Sequence, residues 1–384
     1  MLISVSRYEF GNATSANVGH SPMPGRMQAE VDIPGGFMVK IQRNNTKAGK
    51  VLVTGGAGFI GSNLTDALIN DGYSVVVIDN LSTGKRSQVN KKAKFIKTDI
   101  RNLKKIKPYF RGIDLVFHLA ARARIQPSIK DPVSTFDHNV TGTLNVLLAA
   151  RDAGVKRVIY SASSSSYGDQ DTLPLHEEMT PRFKSPYSLS KYIGEEMCRL
   201  FSNLYGLETV SLRYFNVYGP RQLVGGAYAT VAGIFLKQFK DGKPLTIVGD
   251  GSIKRDFTHV SDVVRANVLA AQSAKVGKGE VINIGTGKNY SINEVASMIM
   301  TPPERGYVLP ARDFNNPHLT GGVVPNIKPE TVLASAVREN RVAYIPPRPG
   351  ETRCTLANTS KARQLLGWKP SVSLEEGLAM LREQ

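Results

Sequence analysis

Thr54-Gly55-Gly56-Ala57-Gly58-Phe59-Ile60-Gly61 lies between an apolar run, Lys50-Val51-Leu52-Val53, and a stretch from Ile60 to Asn70 with helical spacing. Gly55, Gly58 and Gly61 fit Gly-x-x-Gly-x-x-Gly; Gly56, Gly58 and Gly61 also fit Gly-x-Gly-x-x-Gly. Strand, glycine turn and helix together make a dinucleotide-binding unit. The glycines give a tight turn, a backbone without Cβ beside a pyrophosphate, and close helix–strand packing. The helix start offers unpaired N–H groups to the phosphates. Asp79 ends the next β-branched run, Tyr73 to Ile78. A carboxylate there accepts hydrogen bonds from an adenosine ribose and repels a 2′-phosphate, which favours NAD over NADP. Lys85 and Arg86 nearby pull the other way.

Outward from this unit, strand and helix patterns alternate. Further strands are expected at Lys94 to Lys97, Ile113 to His118, Arg157 to Ser161 and Thr209 to Arg213. Helices are expected over Val133 to Ala153 and Tyr187 to Tyr205. Apolar runs separated by helices imply a parallel sheet covered on both faces. The fold class is therefore α/β: a Rossmann-type doubly wound parallel sheet with a smaller C-terminal substrate-binding α/β domain. The expected division gives residues 49–213 to the NAD-binding Rossmann domain, with 259–284 returning to it. Residues 214–258 and 285–384 form the substrate-binding domain. Residues 1–48 read as a disordered extension, rich in polar residues, Gly and Pro. Residues 301–341 read as an inserted loop.

The chain has 384 residues, 41% of them hydrophobic, enough for a large core. It holds two cysteines, Cys198 and Cys354, which is no disulfide framework and suits a reducing cytoplasm. No apolar run is long enough to cross a membrane. The formal charge is +17, much of it between Lys85 and Arg111. That stretch has few aromatics and matches no nucleic-acid-binding motif, so it reads as a solvated basic face and no nucleic-acid partner is expected. No set of His, Cys and carboxylate residues has metal-ligand spacing, so no metal is expected; His118 and His259 read as structural.

Tyr187-Ser188-Leu189-Ser190-Lys191 puts Tyr187 and Lys191 on one helix face. A phenol is a poor base at its ordinary pKa near 10. A nearby ammonium and an oxidised nicotinamide both favour the phenolate, which can then take a proton from a sugar hydroxyl. Upstream, Ser161-Ala162-Ser163-Ser164-Ser165-Ser166-Tyr167-Gly168 follows a strand that ends beside the nicotinamide. Hydroxyls there can bond the reacting oxygen.

With these motifs in hand, the chain resembles the extended short-chain dehydrogenase/reductase family, and within it the UDP-glucose and UDP-N-acetylglucosamine 4-epimerases. The resemblance rests on the glycine loop, Asp79, Thr98-Asp99-Ile100, His118-Leu119-Ala120-Ala121, Asn139, the Ser163 loop and Tyr187 with Lys191. Arg213 to Pro220, Gly249-Asp250-Gly251, Arg255 to Val260 and Arg348-Pro349-Gly350-Glu351 extend it. It covers Lys50 to Met300 and Val342 to the end. It implies Ser163, Tyr187 and Lys191 as catalytic residues. It implies a cofactor site of Gly55, Gly58, Phe59, Ile60, Gly61, Asp79, Asn80, Asp99, Ile100, Leu119, Ala120, Ala121, Asn139, Tyr187, Lys191 and Tyr214. It implies a substrate site of Ser163, Ser164, Asn216, Ala227, Tyr228, Arg255, Arg348, Glu351 and Thr355. Guanidinium forks suit the diphosphate clamp expected of Arg255 and Arg348.

The reaction so implied is hydride abstraction from C4 of a UDP-hexose or UDP-N-acetylhexosamine to tightly bound NAD. A 4-keto intermediate then rotates, and the hydride returns to its other face. Relatives that dehydrate carry an Asp-Glu pair where Ser164-Ser165 stands, and decarboxylating relatives carry a glutamate at Ser165. Both replacements count against those reactions. The alternatives are a UDP-glucuronate 4-epimerase or decarboxylase, or an NAD-dependent nucleotide-sugar reductase or dehydrogenase. A non-enzymatic NAD-binding regulatory protein is the rival outside catalysis. The family also implies a homodimer.

Overall fold

The computed structural model describes residues 28–33, 37–42, 49–226, 229–301 and 329–383. Its centre is a seven-stranded sheet: β1 (Lys50–Thr54), β2 (Ser74–Asp79), β3 (Lys94–Lys97), β4 (Leu115–His118), β5 (Arg157–Ser163), β6 (Glu208–Tyr214) and β7 (Lys278–Ile284). The spatial order is β3-β2-β1-β4-β5-β6-β7, with parallel pairing throughout. The chain reverses its winding between β1 and β4. Beyond the carboxyl ends of those two strands a crevice opens, as doubly wound folds require.

The strands are apolar on both faces because helices cover both. Val51, Val53, Val75, Val77 and Phe117 pack into one core layer, with α1 (Phe59–Asn70) and α4 (Val260–Gln272). Leu52, Val76, Ile78, Val116, Val158 and Tyr160 point the other way. They meet α2 (Gly142–Asp152) and α3 (Pro186–Tyr205). The two-residue period of a strand thus feeds two layers at once. A third core, around Phe235, Ile247, Val295 and Leu378, belongs to the C-terminal portion. There Leu245–Val248 pairs in parallel with Val342–Ile345, and Lys254–Asp256 pairs antiparallel with Asn289–Ser291.

α3 starts where its sequence dictates. Ser185 accepts a hydrogen bond from the Ser188 amide and the Ser188 hydroxyl accepts one from the Ser185 amide, both at 3.2 Å. Pro186 fills the first helical position. Gly206, at φ 67°, ends the helix in the left-handed region.

The helix expected over Val133 to Ala153 runs from Pro132 to Asp152, with a π-turn at Asp137–Thr141 that adds a residue to its winding. Two expectations need correction. Within residues 1–48, read as a disordered extension, Gln28–Ile33 and Phe37–Gln42 form an antiparallel hairpin. Its register pairs Ala29 with Ile41, Val31 with Val39 and Ile33 with Phe37, around Pro34-Gly35-Gly36. That is a two-residue alternation with a turn signal, legible but unread. Within residues 301–341, read as a loop, Pro329–Arg338 is a helix. Arg341, three residues past its end, accepts the Leu245 amide through its carbonyl at 2.9 Å and so leads the chain back into a strand. The remainder of both segments lies outside the described residues. Trp368 is fully buried, and its indole donates to the Asp262 carbonyl at 2.9 Å.

Candidate active site

A cleft of about 500 Å³ runs from the glycine loop to the C-terminal portion. The loop is packed against neighbouring backbone too closely for side chains. Gly55 has φ 73°, and a Cβ there would come within 2.7 Å of the Ala120 amide nitrogen. A Cβ on Gly61 would collide with the Gly55 carbonyl. α1 begins at Gly58 with no side-chain cap and no acidic residue in its first turn, so its amides remain available to an anion. Asp79, on the cleft wall, accepts from the amides of Ala57 at 3.0 Å and Leu81 at 2.7 Å. It therefore fixes the glycine loop from the cleft wall. Burial pushes its carboxyl up, and these two amide bonds pull it back down. Arg86 stacks on Phe95, 4.6 Å from the ring centroid. These features fit NAD.

The cleft gathers most of the expected residues. Gly55, Gly58, Phe59, Ile60, Gly61, Asp79, Asn80, Ile100, Leu119, Ala120, Ala121 and Tyr214 line it on the cofactor side. Ser163, Ser164, Tyr187 and Lys191 line it with Asn216, Arg255, Arg348, Glu351 and Thr355. Two cofactor candidates are not on the wall. Asp99 stands behind Asn80, whose amide donates to it at 2.9 Å. Burial pushes the Asp99 carboxyl up, but hydrogen bonds from Arg101 and Asn80 hold it well below the usual carboxylate range. Asn139 is buried, and its amide donates to the Arg122 carbonyl at 3.0 Å and the Ser190 hydroxyl at 2.9 Å. Its own carbonyl accepts the Arg122 amide at 2.8 Å. Those partners make it a brace between the loop after β4 and α3. Ala227 and Tyr228 lie outside the described residues.

Tyr187 hydrogen-bonds Ser163. Burial pushes the phenol up from its ordinary value; the Ser163 bond and the Arg124 charge pull it down. Lys191 is buried, and its ammonium rests 4.5 Å from the Tyr160 ring centroid. Burial lowers it to about 8, against the pull of Glu195 and Cys198. Ser163 and Ser165 hydroxyls lie 2.9 Å apart, and the Ser166 hydroxyl donates to the Ser163 carbonyl at 2.9 Å. The serine run is thus a bonded turn that aims Ser163 at the phenol.

On the substrate side, Asn216 sits at φ 26° and donates to the Asp256 carbonyl at 2.8 Å and the Thr355 hydroxyl at 3.3 Å. Arg255 and Glu351 approach to 4.0 Å across the cleft. Sequence reasoning missed Arg124, which lines the cleft at φ 122°. Its only sequence signal was its position three residues past Ala121, in a stretch that reads as polar loop.

Residues 51–285 match the family described as NAD dependent epimerase/dehydratase family. The chain belongs to that family. Over 332 residues it is 37% identical to a putative UDP-glucose 4-epimerase of Methanocaldococcus jannaschii, covering 85% of this chain and 95% of that protein. Among solved structures it resembles a UDP-glucose 4-epimerase of Thermotoga maritima, with UDP-glucose. The TM-score is 0.74 and the identity 36%, over 87% of this chain and 97% of the other. It also resembles a UDP-N-acetylglucosamine 4-epimerase of Methanobrevibacter ruminantium in complex with UDP-N-acetylmuramic acid. There the TM-score is 0.73 and the identity 32%, over 88% of this chain and 98% of the other.

Proposed function

We propose that this chain epimerises C4 of a UDP-hexose or UDP-N-acetylhexosamine, with NAD retained through the cycle. The observation that carries the reading is the convergence of Ser163, Tyr187 and Lys191 on one cleft with the glycine loop and Asp79. NAD, when bound, reversibly accepts a hydride from C4. Tyr187 takes the proton of the C4 hydroxyl and later returns it. Ser163 bonds the same oxygen and steers the phenol. Lys191 holds the cofactor's ribose. Arg255 and Arg348 neutralise the diphosphate, and Glu351 accepts from the uridine ribose.

Ser164 and Ser165 supply no carboxyl for eliminating water or assisting decarboxylation, which favours epimerisation over both. Thr355, small and bonded by the Asn216 amide, leaves room for an N-acetyl substituent at the sugar's C2. Acceptance of the N-acetylated sugar is therefore part of the reading.

The cofactor unit is taken as residues 49–213 with 259–284, and the substrate unit as the rest from 214 onward. A homodimer is proposed, built on α2 and α3. Leu144 on α2, and Leu200, Leu204 and Tyr205 on α3, are exposed and apolar. No helix among the described residues is long and apolar enough to cross a membrane; a cytoplasmic location is the companion proposal.

The test is a side-by-side incubation with UDP-glucose and UDP-N-acetylglucosamine, followed by proton NMR of the anomeric signals. Both pairs of C4 epimers are expected. Turnover of UDP-glucose alone defeats the argument from Thr355, and turnover of neither defeats the activity.

A further inference from the structure

Lys191 and Arg124 both line the cleft with the Tyr187 phenol, and only Lys191 was expected there. Lys191, one helical turn from Tyr187, directs its ammonium over the Tyr160 ring at 4.5 Å from the centroid. Arg124 comes from a different element. It follows β4 by six residues, lines the same cleft as Tyr187 and Ser163, and opens the short helix Ile125–Lys130.

Its placement is built from both sides. Two residues earlier, Arg122 is held by its amide and its carbonyl, both bonded to the Asn139 side chain. Asn139 also donates to Ser190, whose hydroxyl donates to the Tyr187 carbonyl at 2.8 Å. The Arg124 loop is therefore braced, through two side chains, to the residue that carries the phenol. Two residues later, the Gln126 amide donates to the Pro349 carbonyl at 2.7 Å. Between these anchors Arg124 takes φ 122°, a conformation that side chains other than glycine avoid. The fold tolerates that strain and keeps a guanidinium on the reaction wall.

We propose that Arg124 is a positioning residue of the reaction: its guanidinium stabilises the Tyr187 phenolate, sharing with bound NAD the electrostatic task usually given to the lysine. The idea rests on the epimerase reading for its chemical purpose, although the electrostatic claim can be measured without substrate. The charge balance around the phenol supports it. Burial opposes ionisation of Tyr187, while Ser163 and Arg124 favour it. Tyr160, on β5, bears on the same phenol. Around Lys191 stand Glu195 and Cys198 on its own helix and His118 on β4. Asp79, His138, Tyr214, Tyr218 and Glu351, with Arg255 and Arg348, are the other titratable groups on the cleft wall. Burial lowers the Arg124 guanidinium and the Tyr187 charge raises it again, but its ordinary value lies so far above neutrality that it keeps its charge where an ammonium lowered to about 8 titrates.

The experiment uses the NAD-loaded full chain, Arg124→Gly and Arg124→Lys, together with the Tyr187→Phe counterpart of each of these three proteins. Glycine accepts the positive φ, so Arg124→Gly removes the charge and relieves the backbone; its thermal midpoint and NAD content are checked first. Ionisation of Tyr187 is read as the tyrosinate absorbance of each protein minus that of the matching protein lacking the Tyr187 hydroxyl. Arg124→Gly is expected to move that titration to higher pH by about one unit, and Arg124→Lys to recover most of the shift. One unit corresponds to about tenfold less phenolate, so kcat at neutral pH should fall about tenfold with KM unchanged. A Tyr187 titration unmoved in Arg124→Gly overturns the proposal, as does a rise in KM without a change in kcat. If the wild-type protein epimerises nothing while the titration still shifts, the activity reading fails and the electrostatic one stands.

Discussion

In the proposed reaction, the chemistry rests on one hydroxyl. Tyr187 is bonded to Ser163 and faces a cofactor cleft. Replacing it with phenylalanine removes the base and keeps the shape, so kcat should fall by about 10²–10⁴-fold while bound NAD is retained. Stopped assays and NAD released on denaturation check both halves. A second residue-scale prediction concerns His118, buried between Thr54 at 2.7 Å and Thr143 at 2.9 Å. Burial, with help from the Lys191 charge, lowers its pKa from 6.5 to about 3. Between those values the unfolded chain binds a proton that the folded chain refuses. Stability is therefore complete above about pH 6.5 and is lost as pH falls toward about 3. His118→Gln should be less stable at neutral pH, yet its thermal midpoint should vary less over that acid range. A slope equal to the parent's would contradict this.

Legibility in the sequence divides by the kind of signal. Tyr187 and Lys191 announced themselves by spacing on one helix face, and the glycine loop by its place between strand and helix. Arg124 did not, because its role comes from a φ of 122° and a brace to α3, neither of which leaves a mark on residue order. Asn139 carried a motif but not its use. Only the structure reveals that its hydrogen bonds go to Arg122 and Ser190 rather than toward the cleft.

Among elements, α3 and β6 bear the site and are joined by a buried ion pair. Arg213 on β6 donates to Glu195 on α3 at 2.7 and 3.0 Å, with side chains 4% and 0% exposed. Its guanidinium also lies 4.6 Å from the Tyr167 ring centroid, behind the serine turn. Breaking one partner strands a charge in the core, so Arg213→Met should cost about 3–5 kcal/mol in chemical denaturation. Pairing it with Glu195→Leu should restore most of that loss; an equally unstable double variant would show that the pair is not the cause. Elements with long apolar runs, such as β2 and β5, were read correctly because burial on both faces demands such runs. The hairpin at 28–42 and the helix at Pro329–Arg338 were not. The hairpin alternates polar and apolar residues around a turn signal and is legible once Pro34-Gly35-Gly36 is taken as a turn, whereas the helix is short and the glycine, proline and polar residues before it mask its periodicity.

At the scale of the whole molecule, the sheet supplies a rigid cofactor bed and the C-terminal portion closes over its carboxyl edge. Phe257 and Tyr290 pack in the C-terminal core, while Arg255 and Thr355 reach back to the cleft. The winding reversal between β1 and β4 opens the crevice, and the loops after β4, β5 and β6 fill it with chemistry. One face of one cofactor must take the C4 hydrogen and give it back. The decisive measurement is therefore incubation of the NAD-loaded protein with a UDP-hexose deuterated at C4, with NMR of the product and absorbance of reduced nicotinamide recorded together. The account predicts the C4 epimer with deuterium still at C4 and no accumulating reduced nicotinamide. Deuterium lost to solvent, or reduced nicotinamide rising with turnover, would contradict it.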